Sequence, residues 1–267
     1  MAIITISREY GCEGRVIGRT LAEKLGYSYI DKQAILKETR KSGQSWARWE
    51  EEMGESSPSL WERFDRSFIG MVALEEKAVM EAAVTEKAVI VGRGGNYLLK
   101  GIPFALHVRL VAPLETRVAN IARRDDISHD QALLFVKRAD LDRSRYIRTT
   151  FGQDWSDPLA YDVVFDNSKL SGEEIVKLIC DMVPDRVARI SEDGRNELRL
   201  RTAVARVKAA VLTSPDVFIP TLEVKHNNSA IIVTGIVSSA RERQKTEELA
   251  KAAAGSEQLE FKLHYRF

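Results

Sequence analysis

Residues 2–31 read AIITISREYGCEGRVIGRTLAEKLGYSYID, and this stretch decides the fold. Ala2–Ile6 is a short apolar run rich in β-branched side chains, the composition of a buried strand. A turn carrying Gly11 and Gly14 follows. Across Arg15–Leu25, Val16, Ile17, Thr20, Leu21 and Lys24 recur at helical spacing, and Gly26 stands where a helix would stop. Tyr27–Ile30 is a second strand that ends on Asp31. Strand, glycine turn, helix and strand form the unit that sets a helix N-terminus against an anion, most often phosphate.

Working outward, Lys32–Lys41 has helical spacing, and the polar stretch after it carries Trp46, Trp49 and Trp61, expected to pack a helical subdomain. Ser57 and Pro58 mark a helix start, with the apolar spacing continuing towards Ala83. The insertion is too long for a simple crossover between strands. Ala88–Val91 is a third buried strand, followed by GRGG, and Phe104–Ala112 is a fourth. Pro113 opens the helix LETRVANIARR, and Ser128 with Gln131 forms a capping box at the head of a long helix dense in arginine and aspartate, broken at Gly152. Tyr161–Phe165 is a fifth strand and Gly172–Met182 a helix. Five short strands alternating with helices predict an α/β fold with a doubly wound parallel sheet, whose ligands bind at the carboxyl ends of the strands.

Pro184–Asn196 is polar without apolar periodicity and reads as a linker, placed at 184–197 between a domain over 1–183 and another over 198–267. Beyond it the spacing predicts a helix over Leu198–Leu212, strands over Ile219–Val224 and Ala230–Val237, a helix over Ser239–Ala254 and a strand over Leu259–Tyr265. That is a small α+β domain of αββαβ order.

The 267 residues are 44% hydrophobic and 30% charged with a net charge of +1, a balance that argues against a general nucleic-acid binder. No apolar run approaches the ~20 residues of a membrane helix. The chain opens on a strand where a signal peptide would place a charged and then an apolar segment. Cys12 and Cys180 make no disulfide framework, so a reducing cytoplasm is expected. The four histidines are scattered, with no Cys/His cluster, and no metal site is expected from them.

SREYGCEGRVIGR lacks the G-x-x-x-x-G-K-[ST] loop, in which backbone N–H groups cradle phosphate and a lysine reaches the β and γ oxygens. It offers Gly11 and Gly14 for close backbone approach, Arg8, Arg15 and Arg19 as cations about the helix start, and Ser7 as a hydroxyl. Arginine pairs with phosphate through two N–H groups at once, so a cation is still supplied. The plainer reading is a tight turn with solvated arginines. The glycines at 11, 14 and 18 do not fit G-x-G-x-x-G, although Asp31 stands where an acid would hold a ribose. On the long helix Arg138, Asp142 and Arg145 share a face, and Asp140 and Arg143 share a neighbouring one. They read either as solvated ion pairs or as a lid whose arginines close on phosphates, since phosphoryl transfer needs mainly positioning and positive charge. Arg93 in GRGG, and Arg117, Arg123 and Arg124 after the fourth strand, are expected to face the same cleft. Cys12, beside the helix start, is either an oxidation-sensitive thiolate or a small loop residue.

From Ile4 to about Met182 the chain resembles the cytidylate kinase-like branch of the nucleoside-monophosphate kinases. The pieces that carry the resemblance are TISREYGCEGRVIGRTLAEKLGYSYID, VGRGGNYLL, APLETRVANIARR, KRADLDRSRYIR and the FGQDW, YDVVF and NSKLS segments, in order. It implies a five-stranded P-loop kinase fold with a monophosphate-binding helical insert over about 32–83 and an arginine lid over about 123–157. It implies transfer of the ATP γ-phosphate to CMP or dCMP, with Mg2+. By position Arg138 and Asp142 match residues that hold the acceptor, and Arg143 and Arg145 match lid arginines. On the kinase reading, Ser7, Arg8, Gly11, Gly14, Arg15 and Arg19 are then expected to hold the ATP phosphates, Asp31 and Arg93 to join Arg138 and Asp142 at the acceptor, and Arg15, Arg143 and Arg145 to act in catalysis. Five positions depart from the family pattern: Arg8 stands in place of the first loop glycine, Glu13 in place of a later one, Gly14 in place of the loop lysine, Arg15 in place of a small or hydroxyl residue, and Gly94 in place of the acid of a GRD motif. A nucleotide kinase and a catalytically silent nucleotide sensor both fit. Residues 198–267 resemble a BON domain through TLEVKHNNSAIIVTGIVSS, implying a module for a ligand, a membrane surface or a protein partner.

Overall fold

The computed structural model describes residues 1–40, 66–227 and 229–266. The expected helix start at Ser57 and the packing of Trp46, Trp49 and Trp61 lie outside these residues.

Strand β1 (Ile3–Arg8) is the centre of a parallel five-stranded sheet. It pairs with β3 (Ala88–Val91) on one side and β4 (Ala105–Val111) on the other, so that Ile6 faces both Val91 and Val108. The short β2 (Ser28–Ile30) and β5 (Val163–Asp166) complete the order β2-β3-β1-β4-β5. A central parallel strand is covered on both faces, which is why β1 is a continuous apolar run rather than an alternating one. Its side chains still divide by the two-residue period. Ile4 and Ile6 join the core formed with helices α1 (Gly14–Leu25) and α7 (Gly172–Ala188). Ile3 joins the opposite core, which includes Ile35 of α2 (Lys32–Arg40) and Val79 and Met80 of α3 (Arg66–Ala83). All three isoleucines are buried, each contributing about 1.5–3 kcal/mol by leaving water.

The remaining helices of this part are α4 (Gly95–Leu98), α5 (Leu114–Asp125) and α6 (His129–Phe151). The expected capping box is formed: the Ser128 Oγ accepts from the Gln131 N–H at 3.3 Å and Gln131 Oε1 accepts from the Ser128 N–H at 3.1 Å. Gly152, with φ 66°, closes α6 as expected. The strand ends, the loop after β1 and α6 thus meet at one edge of the sheet.

Helix α8 (Glu192–Leu212) leads into β6 (Glu223–His226), β7 (Ile231–Val237), α9 (Ala240–Ala254) and β8 (Leu259–Tyr265). The second sheet is mixed: β6 and β7 are antiparallel, β7 and β8 parallel. Helix α8 belongs to both cores. Leu198 and Ala205 pack with the first sheet, and Ala203, Val207 and Val211 with the second. Arg206 and Lys208 tie it to Glu81 and Glu76 of α3 at 3.1 and 2.6 Å.

Two expected boundaries change. The stretch 184–197 is mostly helix, because α7 runs through Pro184 to Ala188 and α8 starts at Glu192. The polar residues that hide the periodicity have partners of their own: Arg186 pairs with Asp162 at 2.8 Å, and the Ser191 Oγ accepts from the Gly194 N–H at 3.1 Å. The first strand of the small sheet begins four residues later than Ile219, at Glu223, because the Leu222 N–H closes a turn onto the Ile219 carbonyl at 3.0 Å. Ile219 is nevertheless buried, which is why it reads as strand. Among the described residues no helix is long and apolar enough to cross a membrane.

Candidate functional site

The loop between β1 and α1 is held by donors from outside it. The Tyr10 carbonyl accepts from Arg117 Nη1 at 3.2 Å, the Gly11 carbonyl from Asn120 Nδ2 at 3.0 Å, and the Cys12 carbonyl from Asn167 Nδ2 at 3.0 Å. Three carbonyl oxygens that would repel a phosphate are thereby engaged elsewhere. The Tyr10 N–H is fixed by Asp140 Oδ1 at 2.8 Å. Gly11 has φ +91°, and a Cβ there would lie 2.6 Å from the Arg117 carbonyl oxygen, so only glycine fits. At the head of α1, Glu13 has φ 50° and makes no side-chain cap. The Val16 N–H turns back onto the Glu13 carbonyl at 2.9 Å, which leaves the Gly14 and Arg15 N–H groups, with their share of the helix dipole, for a ligand.

These N–H groups border a cavity of about 790 Å³. Its walls carry six cations, Arg8, Arg15, Lys32, Arg123, Arg124 and Arg143, against three carboxylates, Glu9, Glu13 and Asp125. Arg124 is paired with Asp125 at 2.7 Å. A second cavity, with only about 50 Å³ free, lies on the other side of the β1 end, bordered by Ser7, Arg93, Asn96, Tyr146 and Trp155 among others. Arg8, Lys32 and Arg143 border both.

The course of Arg8 follows from its neighbours. A Cβ on Gly14 would meet its Cγ at 2.8 Å, and a Cβ on Gly92 would collide with its Nη1. The side chain therefore passes under the head of α1 and reaches the end of β3. Arg143 Nη1 donates to the Arg8 carbonyl at 3.0 Å, and its guanidinium lies over the Tyr10 ring at 5.2 Å.

The wall of the small cavity is a buried network. Arg93, itself at φ 53°, places Nη1 2.6 Å from Glu75 Oε1, and Tyr146 donates its hydroxyl to Glu75 Oε2 at 2.7 Å. Burial, with Glu75 alongside, pushes the Tyr146 phenol well above its ordinary value, so it stays a donor. Trp155 Nε1 donates to the Ser7 Oγ at 3.0 Å, and the Arg109 guanidinium lies 4.6 Å from the Trp155 ring and 5.2 Å from that of Tyr161. At Gly94, φ +65°, any side chain would run into the ring of Phe151, which stacks on Tyr97 at 5.4 Å. The missing acid at this position is thus replaced by an aromatic ring from the end of α6.

Of the residues predicted from sequence, Arg8, Gly11, Gly14, Arg15 and Arg143 line the large cavity, as do Arg123 and Arg124. Ser7 lies on the small cavity instead. Arg19 lies 5.5 Å over the Tyr29 ring and borders neither. Asp31 caps α2, its Oδ1 accepting from the Gln33 and Ala34 N–H groups at 2.9 and 3.1 Å. Arg138 Nε pairs with the buried Asp142 at 2.9 Å, away from both cavities, and Arg145 is exposed. Arg117 does not face the cleft. It is buried behind the loop, pairing with Asp140 at 2.5 Å and Glu9 at 3.2 Å. Cys12 is a small loop residue: burial pushes its thiol up to about 12, which removes the thiolate. Sequence reasoning missed Lys32, Glu75, Tyr146 and Trp155. Only Lys32 carried a local signal, as a cation in the first turn of a helix, where a carboxylate is favoured.

The cytidylate kinase-like family matches residues 3–169. A cytidylate kinase of Sulfurisphaera tokodaii is 27% identical over 178 residues, 66% of this chain and 92% of that protein. A cytidylate kinase of Pyrococcus abyssi is 27% identical over 190 residues, 69% of this chain and 97% of that protein. Among solved structures, an uncharacterized protein from Eubacterium ventriosum shares the fold, with a TM-score of 0.55 and 20% identity over 69% of this chain and 98% of its own.

Proposed function

The chain belongs to the cytidylate kinase-like family, and from that premise we propose that it transfers the γ-phosphate of ATP to a nucleoside monophosphate. The observation that carries this reading is the meeting of the two cavities at Arg8, Lys32 and Arg143. Phosphoryl transfer asks a protein for alignment and for positive charge about the moving group, with little covalent chemistry. The ATP phosphates lie on the loop and the head of α1, with Arg15 and Gly14 at the β-phosphate side. The acceptor enters the small cavity, and its phosphate faces Arg143. At about 50 Å³ that cavity admits a whole nucleotide only when α6 swings away, the motion of a closing lid.

Magnesium, which the family implies, would supply positive charge about the phosphates of ATP. Glu13 on the large cavity is the carboxylate that would meet it, since Glu9 is paired with Arg117. CMP or dCMP is the acceptor proposed by kinship. With Phe151 filling the space beside Gly94, recognition of the base falls to other groups of the small cavity, Arg93 and Asn96 among them. Asp31 acts here as the cap that sets α2. The free thiols of Cys12 and Cys180 suit a cytoplasmic setting.

One observation favours the silent sensor: the Arg8 stem occupies the space a side chain at position 14 would need, so the usual lysine has no room. In that reading the BON-like module, residues 198–267, is the output, coupled to the nucleotide domain through the shared helix α8. The two readings part in one assay. The purified protein is incubated with ATP, Mg2+ and each nucleoside monophosphate, and diphosphate formation is followed. Turnover with CMP or dCMP is expected. ATP binding without turnover on any acceptor overturns the kinase reading.

A further inference from the structure

We propose that the outer face of the small sheet is an interface with a second copy of this chain, packed face to face about a two-fold axis that runs along β7. The inner face already has its partners: Val224, Ile231, Val233, Val237 and Leu263 pack with Val207 and Val211 of α8 and with Ala250 and Ala254 of α9. By the two-residue period of a strand, the side chains between them point away from that core. On the central strand β7 these are Ile232, Thr234 and Ile236, with Ile236 46% exposed. A sheet face left to water is ordinarily polar, whereas the middle of this one is a β-branched spine with isoleucine at both ends.

The pairing register sets charge on both sides of the spine. Lys225 of β6 and Glu260 of β8 flank Ile232, Glu223 and Lys262 flank Thr234, and His264 stands beside Ile236. All five flanking residues are exposed. The four charged groups thus form a square of alternating sign, cations on one diagonal and carboxylates on the other. A copy turned over about an axis along β7 lays its β8 on β6. Ile232 then meets Ile232 of the second copy, Thr234 meets Thr234 and Ile236 meets Ile236, while Lys225 meets Glu260 and Glu223 meets Lys262. Stacked sheets keep their strands within about 30° of one another, which such an axis allows. With the strands antiparallel and isoleucine still on isoleucine, Glu223 would meet Glu223 and Lys262 would meet Lys262, so charge chooses the orientation. Two cations balanced by two carboxylates also suit a copy of the same face better than an anionic membrane surface, which attracts an excess of cations. Lys225 is already paired with Glu223 of its own chain at 2.5 Å, and exposed ion pairs add little affinity. The isoleucines therefore supply the attraction and the charges the register. A face of three strands is small beside a standard interface of about 800 Å² per partner, so the association is weak and depends on concentration.

The test is sedimentation equilibrium of the whole chain from about 1 μM to about 1 mM, with each variant first shown to melt as wild type at the lowest concentration. Wild type is expected to pass from monomer to dimer within that range. Ile236→Asp is expected to remove the dimer. Lys225→Glu or Glu260→Lys alone should weaken it at least about tenfold, because a two-fold pair sets like charges together twice. Lys225→Glu combined with Glu260→Lys should restore most of the wild-type affinity, since opposite charges meet again, a rescue that damage to the fold would not give. A wild type that stays monomeric throughout overturns the proposal and leaves the face to another occupant. A dimer that survives Ile236→Asp overturns it by placing the interface elsewhere. Single reversals without effect, or a double reversal without rescue, overturn the arrangement about β7.

Discussion

The two walls that meet at Arg8 are built by different means. The wall on the loop side is made of backbone: Gly11 at φ +91°, Glu13 in the left-handed region, an uncapped helix head, and arginines that reach into an open cavity of about 790 Å³. The wall on the other side is made of side chains packed against one another: Arg93 on Glu75, Tyr146 on Glu75, Trp155 on Ser7 and Phe151 on Gly94. The first has its groups ready for an anion. The second is tied up in its own ion pair, hydrogen bonds and ring contacts and has to give up some of them before a ligand of nucleotide size enters. Binding on one side therefore costs the fold little, and binding on the other is coupled to movement of α6.

The largest expected effect separates the walls by stability. Removing one partner of a buried ion pair strands the other, so Arg93→Met should cost about 3–5 kcal/mol in chemical unfolding. The double change Glu75→Leu with Arg93→Met should recover most of that loss. On the loop wall, Arg15→Gln should leave the unfolding midpoint within about 0.5 kcal/mol of wild type while weakening ATP. Equal losses for Arg93→Met and Arg15→Gln would erase the contrast.

A smaller effect lies beneath the same wall. His107 on β4 shares a hydrogen bond of 2.8 Å with the Thr5 hydroxyl, and Thr5 borders the small cavity. Burial, and Arg186 nearby, hold the imidazole below its ordinary value of 6.5, against the opposing pull of Asp162. The unfolded chain therefore takes up a proton at higher pH than the folded one. Stability from this group is complete above about 6.5 and declines as the pH falls below it. Replacing His107 by Gln should flatten that acid-side decline in denaturation midpoints collected across the range, and an unchanged slope would assign it to carboxylates.

The contrast also sets what the sequence reveals. Strand β1, the glycine turn, α1 and the capped start of α6 depend on neighbours a few positions away, and each is visible in the order of residues. The five-stranded parallel sheet follows from the alternation of such pieces. The packed wall depends on residues far apart in the chain: Trp155 meets Ser7 across 148 positions and Tyr146 meets Glu75 across 71. No local pattern announces those pairs. Arg117 shows the opposite error. It follows the fourth strand as a phosphate cation would, yet its buried position behind Gly11 makes it a brace for the loop. The polar stretch 184–197 misleads similarly, since helices whose outer faces are charged show little apolar period.

The central claim is that a donor and an acceptor phosphate meet at Arg8, Lys32 and Arg143. It is tested most directly with adenosine and cytidine joined 5′ to 5′ through a pentaphosphate, titrated into the whole chain beside ATP and CMP. Two sites that meet should make the linked compound bind at least about 100-fold more tightly than ATP, through the high effective concentration of the second end. Arg143→Met should remove most of that excess. Affinity equal to that of ATP, unchanged by Arg143→Met, would contradict the account.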